Sequence, residues 1–155
     1  MTELHTLTWQ YVVGLVEPAD LPMAAAHLLA AGLDSSALRD LAGRSRGDST
    51  DEVFREALHQ LGTTLPDERT ADLCLLHDLA GRLAAGEITA GEVAGEVWYR
   101  CLSGDTEAER EFLETVGPEY WVESLAYGPP EGYQAWKDAV RSAAERLCRA
   151  EAPLR

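Results

Sequence analysis

The sequence predicts an all-α fold, in which about seven to nine short helices form a compact bundle around a central apolar helix at roughly 70–85. Apolar residues recur three and four positions apart, and no stretch alternates long enough with the period of two that marks a strand. Glycine, the usual residue just past a helix end, closes six of the helical segments. These six are Gly32, Gly43, Gly62, Gly86, Gly104 and Gly117.

Polar residues that can start a helix precede several of the same segments. Ser49 with Glu52 and Thr89 with Glu92 have the spacing of a capping box. In that motif a hydroxyl and a carboxylate each bind a free backbone amide at the helix start. Aspartates before other segments are predicted caps as well. They are Asp20, Asp34 and Asp105.

The apolar spacing predicts four amphipathic helices. In the first, Trp9, Val12, Val13 and Val16 follow the i, i+3, i+4, i+7 pattern, which favours a helix over a strand. The same spacing predicts three later helices and the residues that they bury. These residues are Phe54, Ala57, Leu58 and Leu61, then Ala90, Val93, Ala94, Val97, Trp98 and Cys101, and finally Trp136, Ala139, Val140, Ala143 and Leu147.

The segment from Ala71 to Ala84 differs from these helices because its first turns are apolar on nearly every side. A helix without a polar face is normally surrounded by other helices, so this segment is the predicted central helix. The connections between segments are short, and none has the composition of an interdomain linker. The sequence therefore predicts a single helical domain over residues 1–155.

The charge balance restricts the possible partners. The formal net charge is −14, which disfavours binding to nucleic acid or to an anionic membrane, since both would repel the protein. The sequence shows neither a secretory signal nor an apolar run long enough to span a bilayer, so a cytoplasmic location is predicted. Three widely spaced cysteines, Cys74, Cys101 and Cys148, are predicted to be free and mostly buried thiols.

Two pairs of residues have the spacing of metal ligands on one face of a helix. Glu56 and His59 match the Glu-x-x-His spacing of dimetal bundles, but the phase of their helix predicts a surface pair. Glu92 and Glu96 are carboxylates four residues apart on another helix. Because no complementary ligand set, phosphate-binding loop or hydrolase motif is present, the sequence predicts no metal and no cofactor. It favours a binding protein over an enzyme.

The segment from Gly104 to Glu131 concentrates both acidic and aromatic residues. It contains eight acidic residues and one basic residue, Arg110, and therefore carries half of the net negative charge of the protein. We expect its exposed side chains to bind a basic protein, as an immunity or antitoxin-like inhibitor would. The predicted contact residues are Glu107, Glu111, Glu114, Glu119, Tyr120, Trp121, Glu123 and Tyr127. A solvated helix followed by rings that close the end of the bundle would give the same pattern.

Two alternatives remain open. The first is a small-molecule pocket between helices, in a binding protein or accessory enzyme of bacterial metabolism. Its predicted lining is Cys74, His77, Trp98 and Trp136. Cys74 and His77 also have the spacing of a nucleophile and its base, although a packed cysteine beside a hydrogen-bonded histidine is much commoner. The second alternative is a homodimeric scaffold without a ligand.

Two phrases of the sequence carry a resemblance to other proteins. They run from Leu28 to Gly43, Leu-Leu-Ala-Ala-Gly-Leu-Asp-Ser-Ser-Ala-Leu-Arg-Asp-Leu-Ala-Gly, and from Gly81 to Glu92, Gly-Arg-Leu-Ala-Ala-Gly-Glu-Ile-Thr-Ala-Gly-Glu. These phrases resemble small acidic all-helical proteins of actinobacteria that lack an assigned function. The resemblance implies an all-helical cytoplasmic protein of bacterial origin, and it assigns no role to any residue.

Overall fold

The computed structural model describes residues 2–45 and 47–150, with only the backbone of Tyr120. These residues form nine α-helices and one 3₁₀ turn, Pro18–Asp20, with no strand among them. The predicted all-α class is therefore confirmed. The helices are α1 (Glu3–Val12), α2 (Leu21–Ala30), α3 (Ser36–Ala42), α4 (Asp51–Gln60), α5 (Glu68–Ala85), α6 (Ala90–Arg100), α7 (Glu107–Val116), α8 (Glu119–Ala126) and α9 (Pro130–Arg149).

The chain divides into two compact units, and the boundary falls within α5: the first unit ends at Ala71 and the second starts at Asp72. The helix predicted at roughly 70–85 is α5, and it is buried along most of its length. Its buried residues are Ala71, Leu73, Cys74, Leu75, Leu76, Leu79, Ala80 and Leu83. No described helix is both long enough and apolar enough to cross a bilayer.

In the first unit, α2 packs on α3 and α1, and α3 packs on α4. Two polar contacts fix this packing. Gln60 at the end of α4 accepts a hydrogen bond from the Ala37 amide at 3.1 Å, and the Tyr11 hydroxyl donates one to Asp51. The Tyr11 ring lies edge-on to Phe54, with 5.0 Å between the ring centroids. The core includes Leu4, Leu7, Leu21, Ala25, Leu28, Leu38, Leu41, Phe54, Ala57 and Leu58.

In the second unit, α7 and α8 pack on α9, and α6 contacts both α7 and α9. The buried stripe of α9 is Trp136, Val140, Ala143, Ala144 and Leu147. The predicted stripe included Ala139, which is exposed. One position along a helix is a rotation of about 100°, and the neighbours of α9 lie on the side of Val140 and Ala144.

The helix starts show which predicted caps form. Thr89 and Glu92 make both bonds of a capping box, as predicted. Ser49 does not cap α4, because the cap residue is Thr50, whose hydroxyl instead donates to the Pro18 carbonyl at 3.0 Å. Asp34 and Asp105 are each one residue too early, since Ser35 caps α3 and Thr106 caps α7. Asp20 precedes α2 but makes no capping bond through its side chain.

Several helix ends also differ from the sequence prediction. The first helix stops at Val12, and Gly14 adopts a φ of +74°, so Val16 lies outside it. Gly43 stays right-handed, with a φ of −84°. At the end of α6 the left-handed residue is Cys101, and Gly104 has another role. A Cβ at position 104 would lie only 2.6 Å from Cβ of Glu109. Because glycine has no Cβ, the backbone at Gly104 can approach the Glu109 side chain closely.

The cysteine prediction is only partly correct. Cys74 is buried, whereas Cys101 and Cys148 are exposed, and all three are free thiols. Cys101 is exposed because it is the left-handed residue that ends α6, so its side chain leaves the buried stripe of that helix. Cys148 directly follows the buried Leu147 near the end of α9 and points away from the core.

Candidate functional site

The acidic side of α7 is set by its helical phase. Glu107, Glu111 and Glu114 are spaced i, i+4, i+7, and all three are exposed. Phe112 and Val116 lie on the opposite side and are completely buried. Burial of these two side chains fixes the rotation of α7, and the three carboxylates therefore point to solvent.

Helix α8 continues the acidic surface with a tyrosine at its end. Glu119, Glu123 and Tyr127 are spaced i, i+4, i+8, and all three are exposed. Tyr127 has 92% of its surface exposed. Trp121 lies on another side of α8 and is 44% exposed, so it does not belong to this stripe. The prediction for the side chain of Tyr120 lies outside the described part of the structure.

We define the acidic face as Glu107, Glu111, Glu114, Glu119, Glu123 and Tyr127. One of its five carboxylates is neutralised by a nearby base, because Arg146 on α9 pairs with Glu111 at 2.8 Å. The other four form no ion pair with a described base. Arg110 lies on the same helix and donates to the Asp105 carbonyl at 2.6 Å. The face is therefore strongly negative and largely free to accept positive charge.

Three tryptophans converge where α7 meets α8. The Trp98 indole donates to the Gly117 carbonyl at 2.8 Å, and the Trp136 indole donates to the Val116 carbonyl at 3.1 Å. The Trp121 ring lies against Gly117, since a Cβ there would be 2.6 Å from the ring. The last carbonyls of a helix lack intrahelical partners, so these two indoles cap α7 and hold the junction in place.

A buried carboxylate anchors the start of α7. Glu109 is 2% exposed, and its Oε1 lies 2.9 Å from Nε2 of His77 on α5. Its Oε2 accepts hydrogen bonds from the amides of Asp105 and Thr106, each at 2.8 Å. Burial favours a raised pKa for Glu109, but the bonds from Thr106, His77 and Asp105 outweigh it and lower the pKa of this carboxyl.

The arrangement around Cys74 does not activate its thiol. Burial raises the pKa of Cys74 to about 11, whereas a nucleophilic cysteine needs a lowered pKa. His77, the candidate base, has its Nε2 engaged by Glu109. The pair matches a packed cysteine beside a hydrogen-bonded histidine, the commoner arrangement for this spacing.

The other chemically suggestive groups are engaged in local contacts. Glu56 and His59 are both exposed, and Glu56 accepts a bond from Gln60 at 2.9 Å. Glu92 is part of the capping box of α6, and Glu96 pairs with Arg100 at 2.9 Å. Within residues 2–45 and 47–150, no three histidine, cysteine or carboxylate side chains are grouped closely enough to hold a metal ion.

The predicted pocket residues and the described pockets lie in different places. Cys74 and Trp136 are buried, Trp98 is half-buried, and His77 pairs with Glu109. Three surface pockets are lined by other residues: one beside His27, one beside His5, and one beside Lys137. The small-molecule pocket around Cys74 stays a prediction.

Two features of the site were not predicted. Glu109 was counted only as one of the eight acidic residues of its segment, although Thr106 and Glu109 have the capping-box spacing that could have identified its role. The indole bonds from Trp98 and Trp136 had no sequence signal, because their acceptors lie 19 and 20 residues away along the chain.

Comparison with known proteins finds no matching family model, curated protein or solved structure. The resemblance to small acidic actinobacterial proteins therefore stays a prediction.

Proposed function

We propose that this protein is a non-enzymatic binding protein that docks a basic protein partner on its acidic face. The observation that carries the proposal is the joint exposure of five glutamates and Tyr127 on two consecutive helices. Four of these carboxylates have no described basic partner, so a cationic surface would gain contacts without breaking existing ones.

The anchored helices support this surface as a binding site. Partner binding costs less free energy when the contact residues are already ordered. The tryptophan bonds to Val116 and Gly117 hold the end of α7, and Glu109 holds its start. Tyr127 supplies a large ring with few rotatable bonds, which is the type of residue that dominates binding energy at many interfaces.

The charge of the partner follows from that of the protein. A net charge of −14 accelerates association with a cationic protein and repels nucleic acid. The simplest role for such binding is inhibition, in which the acidic face covers the basic surface with which the partner binds its own target. We therefore propose an immunity or antitoxin-like protein acting in a bacterial cytoplasm.

The test is affinity capture from the native host, followed by binding measurements on two matched variants. The first variant reverses three charges on the acidic face, Glu114→Lys, Glu119→Lys and Glu123→Lys. The control reverses three exposed glutamates elsewhere, Glu3→Lys, Glu52→Lys and Glu145→Lys. Both variants change the net charge by the same amount, so a difference between them reports position and not total charge.

We expect the acidic-face variant to lose most of its affinity and its association rate to become less sensitive to salt. The control should bind almost normally at physiological ionic strength, where charges separated by more than about 8 Å are largely screened. Equal loss in both variants would show that only net charge matters, and no loss in the acidic-face variant would refute the proposed surface.

A further inference from the structure

A second site lies away from the acidic face, where the connection between α5 and α6 faces α9. A pocket of about 280 Å³ opens there. Four residues of α9, spaced i, i+3, i+4, i+7, line one wall, and the connection with the first turn of α6 lines the other. Those four are Gln134, Lys137, Asp138 and Arg141. The lining also includes three apolar residues, Leu83, Ile88 and Ala90, which we call the apolar floor.

The two cations of this pocket have no described carboxylate partner. Lys137 lies 5.2 Å from the centroid of the Tyr133 ring, and neither Lys137 nor Arg141 forms an ion pair with a described acid. The protein has 27 acidic residues and 13 lysines and arginines. Two cations on one helix, both without a carboxylate partner, are therefore unexpected. They offer a combined site for a carboxylate.

The acids that line the pocket differ in their engagement. Glu92 accepts from both the amide and the hydroxyl of Thr89, and Asp138 accepts from Gln134 at 2.9 Å. Glu87 has only a long contact, 3.9 Å from Nε of Arg82. Glu87 is therefore the acid with the most remaining capacity to bind a cationic group.

We propose that this pocket binds a zwitterion of amino-acid size with an aliphatic side chain. Its carboxylate would bind Lys137 and Arg141, its ammonium group would bind Glu87, and its side chain would contact the apolar floor. The pocket is smaller than those that hold drug-sized ligands. A simple anion would be repelled by the three nearby carboxylates, whereas a zwitterion satisfies both signs of charge.

The sequence provides two unique reporters for a test. It contains one lysine, Lys137, and one isoleucine, Ile88, and both line this pocket. Isotope labelling of these two residue types gives one backbone signal and one terminal methyl signal in NMR spectra. Both would be followed while the full chain is titrated with leucine. The comparison probes are 4-methylpentanoate, which lacks the amine, and 3-methylbutylamine, which lacks the carboxylate.

We expect saturable shifts of both signals with leucine, and about tenfold weaker binding of either comparison probe, because each loses one charged contact. Arg141→Gln and Glu87→Gln should each weaken leucine binding by a similar factor. Arg149→Gln, on the same helix outside the pocket, should have no effect. These variants change exposed side chains, so they should remain folded.

Three results would overturn the proposal: no saturable shift with leucine, equal binding of 4-methylpentanoate, or unchanged leucine binding in Arg141→Gln. The site is formed by different residues from the acidic face, so each of these results leaves the proposed partner surface untouched.

Discussion

Replacement of Glu109 by alanine removes a buried carboxylate that takes part in three side-chain hydrogen bonds. The carboxylate bonds to His77 on α5 and to two amides that precede α7. Alanine would leave the His77 nitrogen and the amides of Asp105 and Thr106 without this acceptor. The start of α7 would then lose its capping box and its link to α5.

The magnitude follows from the burial of both partners. The side chains of Glu109 and His77 are 3% and 10% exposed, so solvent screens their interaction only weakly. Leaving a buried hydrogen-bonding group without its partner costs about 1–3 kcal/mol, and Glu109→Ala removes the acceptor of several such groups, so we expect it to cost at least about 2 kcal/mol. Glu109→Gln keeps an acceptor for the two amides but removes the charge, and we expect it to cost about 1–2 kcal/mol. Domains of this size are stable by about 5–15 kcal/mol, so the alanine variant should be readily measured.

The assay is urea unfolding followed by circular dichroism at a series of pH values. The folded pKa of Glu109 is lowered, so its ionised form stabilises the protein above the ordinary carboxyl pKa of about 4.3. This contribution is lost as the pH falls below that value and through the folded pKa. The stability difference between wild type and Glu109→Gln should therefore shrink as the pH falls below about 4.

Glu114→Ala is the control, because Glu114 is exposed on the same helix. We expect its free energy of unfolding to stay within about 0.5 kcal/mol of wild type. A loss below about 1 kcal/mol in Glu109→Ala, or a pH-independent difference for Glu109→Gln, would refute the anchoring role assigned to Glu109.

Three further substitutions test other contacts by the same unfolding assay. Gly117→Ala should cost at least about 2 kcal/mol, because Gly117 has a φ of +73° and the new Cβ would collide with the Trp121 ring. The control is Gly95→Ala, which should be neutral or stabilising because the space around Gly95 is open. Trp98→Phe should cost about 1–3 kcal/mol, since it removes the donor to the Gly117 carbonyl, and an unchanged urea midpoint would exclude that role. Tyr11→Phe should cost about 1 kcal/mol, because it removes the hydroxyl that donates to Asp51. It should also remove a tyrosine absorbance change near pH 12, because burial and then Asp51 raise the pKa of Tyr11 to about 12.

The candidate surface was recognisable from the sequence because its acids follow local helical spacing. Glu107, Glu111 and Glu114 were predicted to be exposed contact residues, and all three are exposed on α7, opposite the buried Phe112. Trp121 was assigned to the same surface but lies on another side of α8. Its ring packs on Gly117, and that contact depends on a turn whose geometry local periodicity does not describe.

The sequence by itself determined that this protein is helical, that it is strongly acidic, and which side of α7 faces solvent. These properties depend on residues within one or two helical turns of each other. The tertiary structure decided which acid is buried and what the tryptophans do. Glu109 reaches His77 across 32 positions of the chain, and the Trp136 indole finds a carbonyl 20 positions away. Such bonds exist only when separate helices pack together, so a pattern of neighbouring residues cannot specify them.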